Sequence, residues 1–152
     1  MAFRIRSLAF DEGGWISARH TGEGEDLSPA LEWQDIPPGT RSLALVVDDP
    51  DAPGGVWTHW ILWDIPLTET GLAEGFVPGR LGISGVNDFG KEGYNGPMPP
   101  RGHGPHRYFF RLYALDTRHL MVSSGVKRHE FDKALRGHII DETATMGRYE
   151  RK

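Results

Sequence analysis

Apolar and polar residues alternate through Phe3-Arg4-Ile5-Arg6-Ser7-Leu8, the period-two pattern of a half-buried strand. Trp15-Ile16-Ser17-Ala18 is a candidate for a second short strand. The alternation returns in Ser28-Pro29-Ala30-Leu31-Glu32-Trp33 and stops at Asp35-Ile36-Pro37-Pro38-Gly39, a strong turn signal. Three longer runs are nearly continuous in apolar residues and have no internal proline, as a central strand requires. They cover residues 42–47, 57–65 and 107–115. The segment Thr68-Glu69-Thr70-Gly71-Leu72-Ala73-Glu74 suits a single helical turn.

From Val126 the period changes. Phe131, Ala134, Leu135, Ile139 and Ile140 recur at helical spacing, and residues 126–148 contain no proline. Gly137 divides this stretch into two pieces. The pattern predicts a mainly β domain, a sandwich, with C-terminal helix added, in one unit spanning residues 1–152.

Composition sharpens this picture in a few places. With 20 Gly and 11 Pro the chain is turn-rich, and five Trp, four Tyr and seven Phe rule out a disordered chain. A net charge of −4 without a basic run argues against nucleic-acid binding, which needs cations to displace counterions. There is no cysteine, which removes disulfides, thiolate nucleophiles and zinc ribbons and favours a cytoplasmic location. The first residues lack the apolar core of a signal peptide, and no window has the length of a membrane span, so no integral insertion is expected.

The chemistry concentrates in two segments about fifty residues apart. Asp49-Pro50-Asp51-Ala52-Pro53 follows a central strand, and its prolines stiffen the backbone so that the carboxylates are aimed. An ordinary Asx turn capping its own backbone would also account for these aspartates, and Asp48 beside them competes for any single role. His59 lies in the apolar strand that follows, where a lone histidine is more often a satisfied core residue. His106 opens another core strand behind a Gly-rich loop. A strand-end imidazole beside a carboxylate can donate one ring nitrogen to it and offer the other to a ligand, and Asp49 is the orienting carboxylate of choice. The stretch from Asn87 to Pro100 is too polar for a strand, and loops of this length are often functional. Its glycines would let backbone N–H groups converge on an anion.

Catalytic constellations are poorly supported. No Gly-x-Ser-x-Gly elbow and no Walker-type loop occurs. His103 and His106 are separated by Gly104-Pro105, which denies them a shared helix face and weakens any metal site. The expected protein is therefore a non-enzymatic binding module without metal or cofactor. A hydrolase using His106 as base, and a protein-facing regulator, are the alternatives.

Taken together, Asp49-Pro50-Asp51-Ala52-Pro53, Trp57-Thr58-His59-Trp60, Gly96-Pro97-Met98-Pro99-Pro100 and Gly104-Pro105-His106-Arg107-Tyr108 resemble the phosphatidylethanolamine-binding protein family, in its bacterial and archaeal Raf-kinase-inhibitor-like branch. The likeness runs from about Leu27 to the end. It implies an antiparallel β-sandwich with short C-terminal helices and a small pocket for phosphate-like groups, including phospholipid head groups and phosphorylated side chains. Carried over, Asp49, His59 and His106 are the polar groups of that pocket, Tyr108 its wall, Pro100 and Gly104 its rim, and Trp57 packs beside it. Asp51 and Arg107 would form a structural ion pair. Met98 stands where many microbial members carry Cys, which removes redox chemistry from that loop. The resemblance allows a homodimer and names no protein partner for this chain.

Overall fold

The computed structural model describes residues 2–152. Among the described residues eight strands form two antiparallel sheets. They are β1 (Arg4–Ser7), β2 (Leu31–Gln34), β3 (Ser42–Asp49), β4 (Trp57–Ile65), β5 (Gly71–Leu72), β6 (Ile83–Ser84), β7 (His106–Leu115) and β8 (Ile139–Tyr149). The smaller sheet has the order β1-β2-β5 and the larger one β6-β4-β3-β7-β8.

Strand β3 shows why its sequence is apolar throughout. Leu43, Leu45 and Val47 face the smaller sheet, in a core with Ile5, Trp33, Trp60, Leu62, Phe110 and Leu112. Ala44 and Val46 face the other way, against Ile61, Trp63, Phe131 and Leu135. A strand covered on both sides has no need of polar alternation. The helix α1 (Arg128–Leu135) supplies that second cover, with Phe131 and Leu135 as its buried residues. Arg128 ties it to the sheet by binding Asp48 at 2.5 Å and Thr58 at 3.1 Å.

Three local expectations are corrected. The second C-terminal helical piece is instead the eleven-residue strand β8, paired along β7. Gly137, at φ 81°, takes the left-handed position just past the helix end, and the free edge of β7 captures the chain beyond it. Ile139 and Ile140, which extended the helical period, are largely exposed in the strand. Residues 68–74 do not make a helical turn, because Leu72 pairs with Leu31 in β5. Trp15 makes only an isolated bridge to Arg148, and Ser17 caps a 3-10 turn over Ala18–His20.

Among the described residues no helix is long and apolar enough to cross a membrane.

Candidate functional site

The ends of β3, β4 and β7 meet at one end of the core. Asp49 continues the inward-facing series of Leu43, Leu45 and Val47, and His106 and Tyr108 continue that of Phe110 and Leu112. Antiparallel pairing of β3 with β7 brings the two series together. Asp48 points to the opposite face, toward Arg128, so the neighbouring aspartates do not compete for one role.

Strict alternation would send His59 to the helix side with Ile61 and Trp63. A register slip prevents it. Trp60 pairs with Val47 but Thr58 with Asp48, so His59 is an extra residue in β4, a β-bulge. The bulge aims the ring inward, where it meets Tyr108 edge-on at 5.3 Å between ring centroids.

Asp49 Oδ2 and His106 Nδ1 are 2.6 Å apart, and both side chains are almost wholly buried. A carboxylate can only accept, so Nδ1 carries the proton. Asp49 Oδ1 also accepts from the Asp51 amide at 2.8 Å, which fixes the carboxylate's rotation. The second nitrogen of His106, Nε2, lies 2.6 Å from His103 Nδ1.

His59 is held differently. Its Nδ1–H donates to the Asn95 carbonyl at 2.6 Å. Burial pushes its pKa below the ordinary value of 6.5, and the Asn95 bond and the Asp49 charge oppose this only in part. The neutral ring therefore presents Nε2 as an acceptor near neutral pH.

Tyr108 stacks beside His106 and is buried, and its hydroxyl lies near the Asp49 carboxylate without a well-aligned hydrogen bond among the described residues. Burial first, and then the nearby Asp49 charge, push its pKa far up, so it stays a protonated donor. A buried hydroxyl without a well-aligned partner is costly and rare in a folded core.

The loop at 87–100 organises the site through its own side chains. Asn87, buried, accepts at Oδ1 from the amides of Phe89 and Lys91, and donates to Gly93 O and Asn95 Oδ1. Asp26 accepts from the Gly96 amide at 2.7 Å, and the Asn95 amide is bound by the His59 carbonyl. The expected anion-binding nest is therefore not formed by these amides. They are spent on shaping the loop that orients His59.

Pro100 accepts from the His103 amide in the turn that carries His103, and Gly104 follows at φ 86°. Trp57 is partly exposed and packs edge-on against Phe89, which in turn touches His59. The structure brings Asp51 and Arg107 together, with Arg107 Nη2 at 2.8 Å, Nε at 3.0 Å and the backbone N–H at 2.9 Å from the carboxylate. The guanidinium is largely in solvent, so its contribution to stability is small. Among the described residues no group of three His, Asp or Glu side chains is placed to hold a metal ion.

A larger groove lies elsewhere. It has a volume of about 740 Å³ and is lined by Arg4, Arg6, Glu32, Trp33 and Thr143 among others. Its Arg6 and Glu32 charges already pair with one another. Unmatched chemistry, rather than volume, marks the site around Asp49 and His106.

The sequence model of the phosphatidylethanolamine-binding protein family matches residues 6–150. The chain belongs to this family. It is 47% identical over 152 residues to the UPF0098 protein of Methanothermobacter thermautotrophicus, covering 97% of this chain and 98% of that one. Its fold matches that of E. coli YbcL, described as a member of the mammalian family, with a TM-score of 0.92 at 34% identity and full coverage of both chains. A phosphatidylethanolamine-binding protein homologue from Chlamydia trachomatis gives a TM-score of 0.90 at 36% identity, covering 99% of each chain.

For this member of the phosphatidylethanolamine-binding protein family, sequence reading missed Asp26, Asn87, Asn95 and His103. Asn87 opens the loop and Gly102-His103-Gly104 brackets an imidazole with two flexible residues, signals that were legible in principle. Asp26 carried none, since its partner is 70 residues away.

Proposed function

We propose that the protein is a binding module that captures small oxyanions, either phosphate or a phosphorylated head group, between His106, His59 and Tyr108. The observation that carries this reading is the pairing of a buried, carboxylate-oriented His106 with the buried hydroxyl of Tyr108, which stays a protonated donor beside it. Asp49 sets the tautomer of His106, while Tyr108 offers a neutral donor at the same site. A charge-assisted hydrogen bond contributes about 1.5–3 kcal/mol, so one or two such bonds give weak, reversible capture. The family's phosphatidylethanolamine-binding description supports a phosphorylated ligand.

The same Asp49–His106 pair has the form of a general base with its orienting carboxylate. Among the described residues no hydroxyl is hydrogen-bonded to His106, whose partners are Asp49 and His103, and we assign binding rather than catalysis. A histidine-resolved NMR titration with inorganic phosphate and O-phosphoethanolamine tests the assignment. Saturable shifts at His59 and His106, lost in His106→Ala, are expected. Turnover of phosphoesters that disappears in the same variant, or the absence of any shift, would overturn it.

A further inference from the structure

The nitrogen of His106 that faces away from Asp49 is already occupied. His103 Nδ1 lies 2.6 Å from His106 Nε2, with ring centroids 4.9 Å apart. That distance leaves no room for an oxygen between the rings. An oxyanion reaching His106 Nε2 and the His103 ring require the same space.

The proton positions define the contact further. The Asp49 carboxylate accepts from Nδ1–H of His106, so Nε2 of a neutral His106 carries a lone pair. His103 must then be the donor, through its Nδ1–H. It supplies to His106 what a protonated oxyanion would supply. Dihydrogen phosphate or a phosphomonoester monoanion brings that proton itself, whereas a diester head group requires His106 to take one up first.

Unlike His106, His103 is exposed. Its backbone is pinned, because the His103 amide donates to Pro100 O and the Gly102 amide to Arg151 O. Gly102 and Gly104 take φ of 74° and 86°, left-handed positions that fold the turn back so that the ring lies over the site. Opening therefore needs only rotation of an exposed side chain about its own bonds, with no rearrangement of the sheet.

We propose that His103 is a latch that holds the place of the ligand on His106 in the free protein and is displaced when an oxyanion binds. This rests on the anion-binding reading of the site and adds a residue that sets its affinity. Removing a competitor tightens binding. Loss of one ordinary hydrogen bond corresponds to an increase in affinity of about two- to tenfold.

The test uses the full chain labelled with 15N and inorganic phosphate as the probe. In the free protein, a scalar coupling across the N–H···N bond between His103 Nδ1 and His106 Nε2 is expected, and it should vanish as phosphate saturates. Calorimetric titration should show His103→Ala binding phosphate about two- to tenfold more tightly than the natural chain. Equal or weaker binding by His103→Ala, with saturable shifts at His106 retained in both proteins, would overturn the latch and leave the anion site standing. The absence of the coupling in the free protein would also overturn it. If neither protein binds phosphate, the anion reading fails and the latch falls with it. Binding by His103→Ala alone would support both.

Discussion

Asp49 and His106, 57 residues apart in the chain, share a 2.6 Å hydrogen bond at the buried junction of β3 and β7. The pair sits where the two central strands leave the core, so it joins stability to function. Asp49→Ala leaves the His106 N–H without its acceptor and the Asp51 amide without its turn partner. Breaking one side of a buried pair costs about 3–5 kcal/mol, and that loss is expected in urea denaturation, together with loss of phosphate binding. A denaturation midpoint close to that of the natural chain would mean that the pair is solvated and does not hold the strands.

Tyr108 behaves in the opposite sense. Its hydroxyl is buried and makes no well-aligned hydrogen bond, so Tyr108→Phe removes a desolvated group and breaks at most a weak contact with Asp49. Stability should be unchanged or higher, by up to about 1–3 kcal/mol, while phosphate affinity falls. Paired thermal melts and phosphate titrations separate the two effects. Unaltered affinity would exclude the hydroxyl from the site.

His59 makes stability depend on pH with a definite sign. Its folded pKa is depressed by burial, so the unfolded chain takes up a proton more readily than the native one. The stability His59 contributes is complete above about pH 6.5 and declines as pH falls from there toward the folded pKa. The His59→Gln variant should lose this part of the pH dependence. In the natural chain the His59 ring signals should titrate below the ordinary histidine range in an NMR series. A normal or raised titration would contradict the burial argument.

Phe131 tests how α1 covers the sheet. It is fully buried and packs on Trp63 at 5.6 Å between ring centroids. Phe131→Ala should cost about 3–5 kcal/mol by loss of burial and formation of a cavity. The His106 signals should be unaffected, since the site lies on the other face of the sheet. A matching perturbation at His106 would show that the two faces are coupled.

The three long apolar runs predicted the positions of β3, β4 and β7 closely, because β3 and β4 are buried on both faces and β7 buries every second side chain against the core. The C-terminal stretch was harder. The spacing of Phe131, Ala134 and Leu135 was helical for a sound reason, while Ile139 and Ile140 fitted the same period without being buried. Local periodicity does not register that β7 offers an unpaired edge, and that edge makes residues 139–149 a strand.

A similar division runs through the site. Asp49, His59, His106 and Tyr108 stand out in the sequence because stiff Pro-rich or Gly-rich loops adjoin strands where polar groups are costly. Residue types and local stiffness are properties of the chain itself. Which ring Asp49 holds, the inward turn of His59, the loop amides used up by Asp26 and Asn87, and the placement of His103 over His106 all depend on strand register. Register is set by long-range pairing and by a single bulged residue, and one residue's shift in a strand reverses the face a side chain takes.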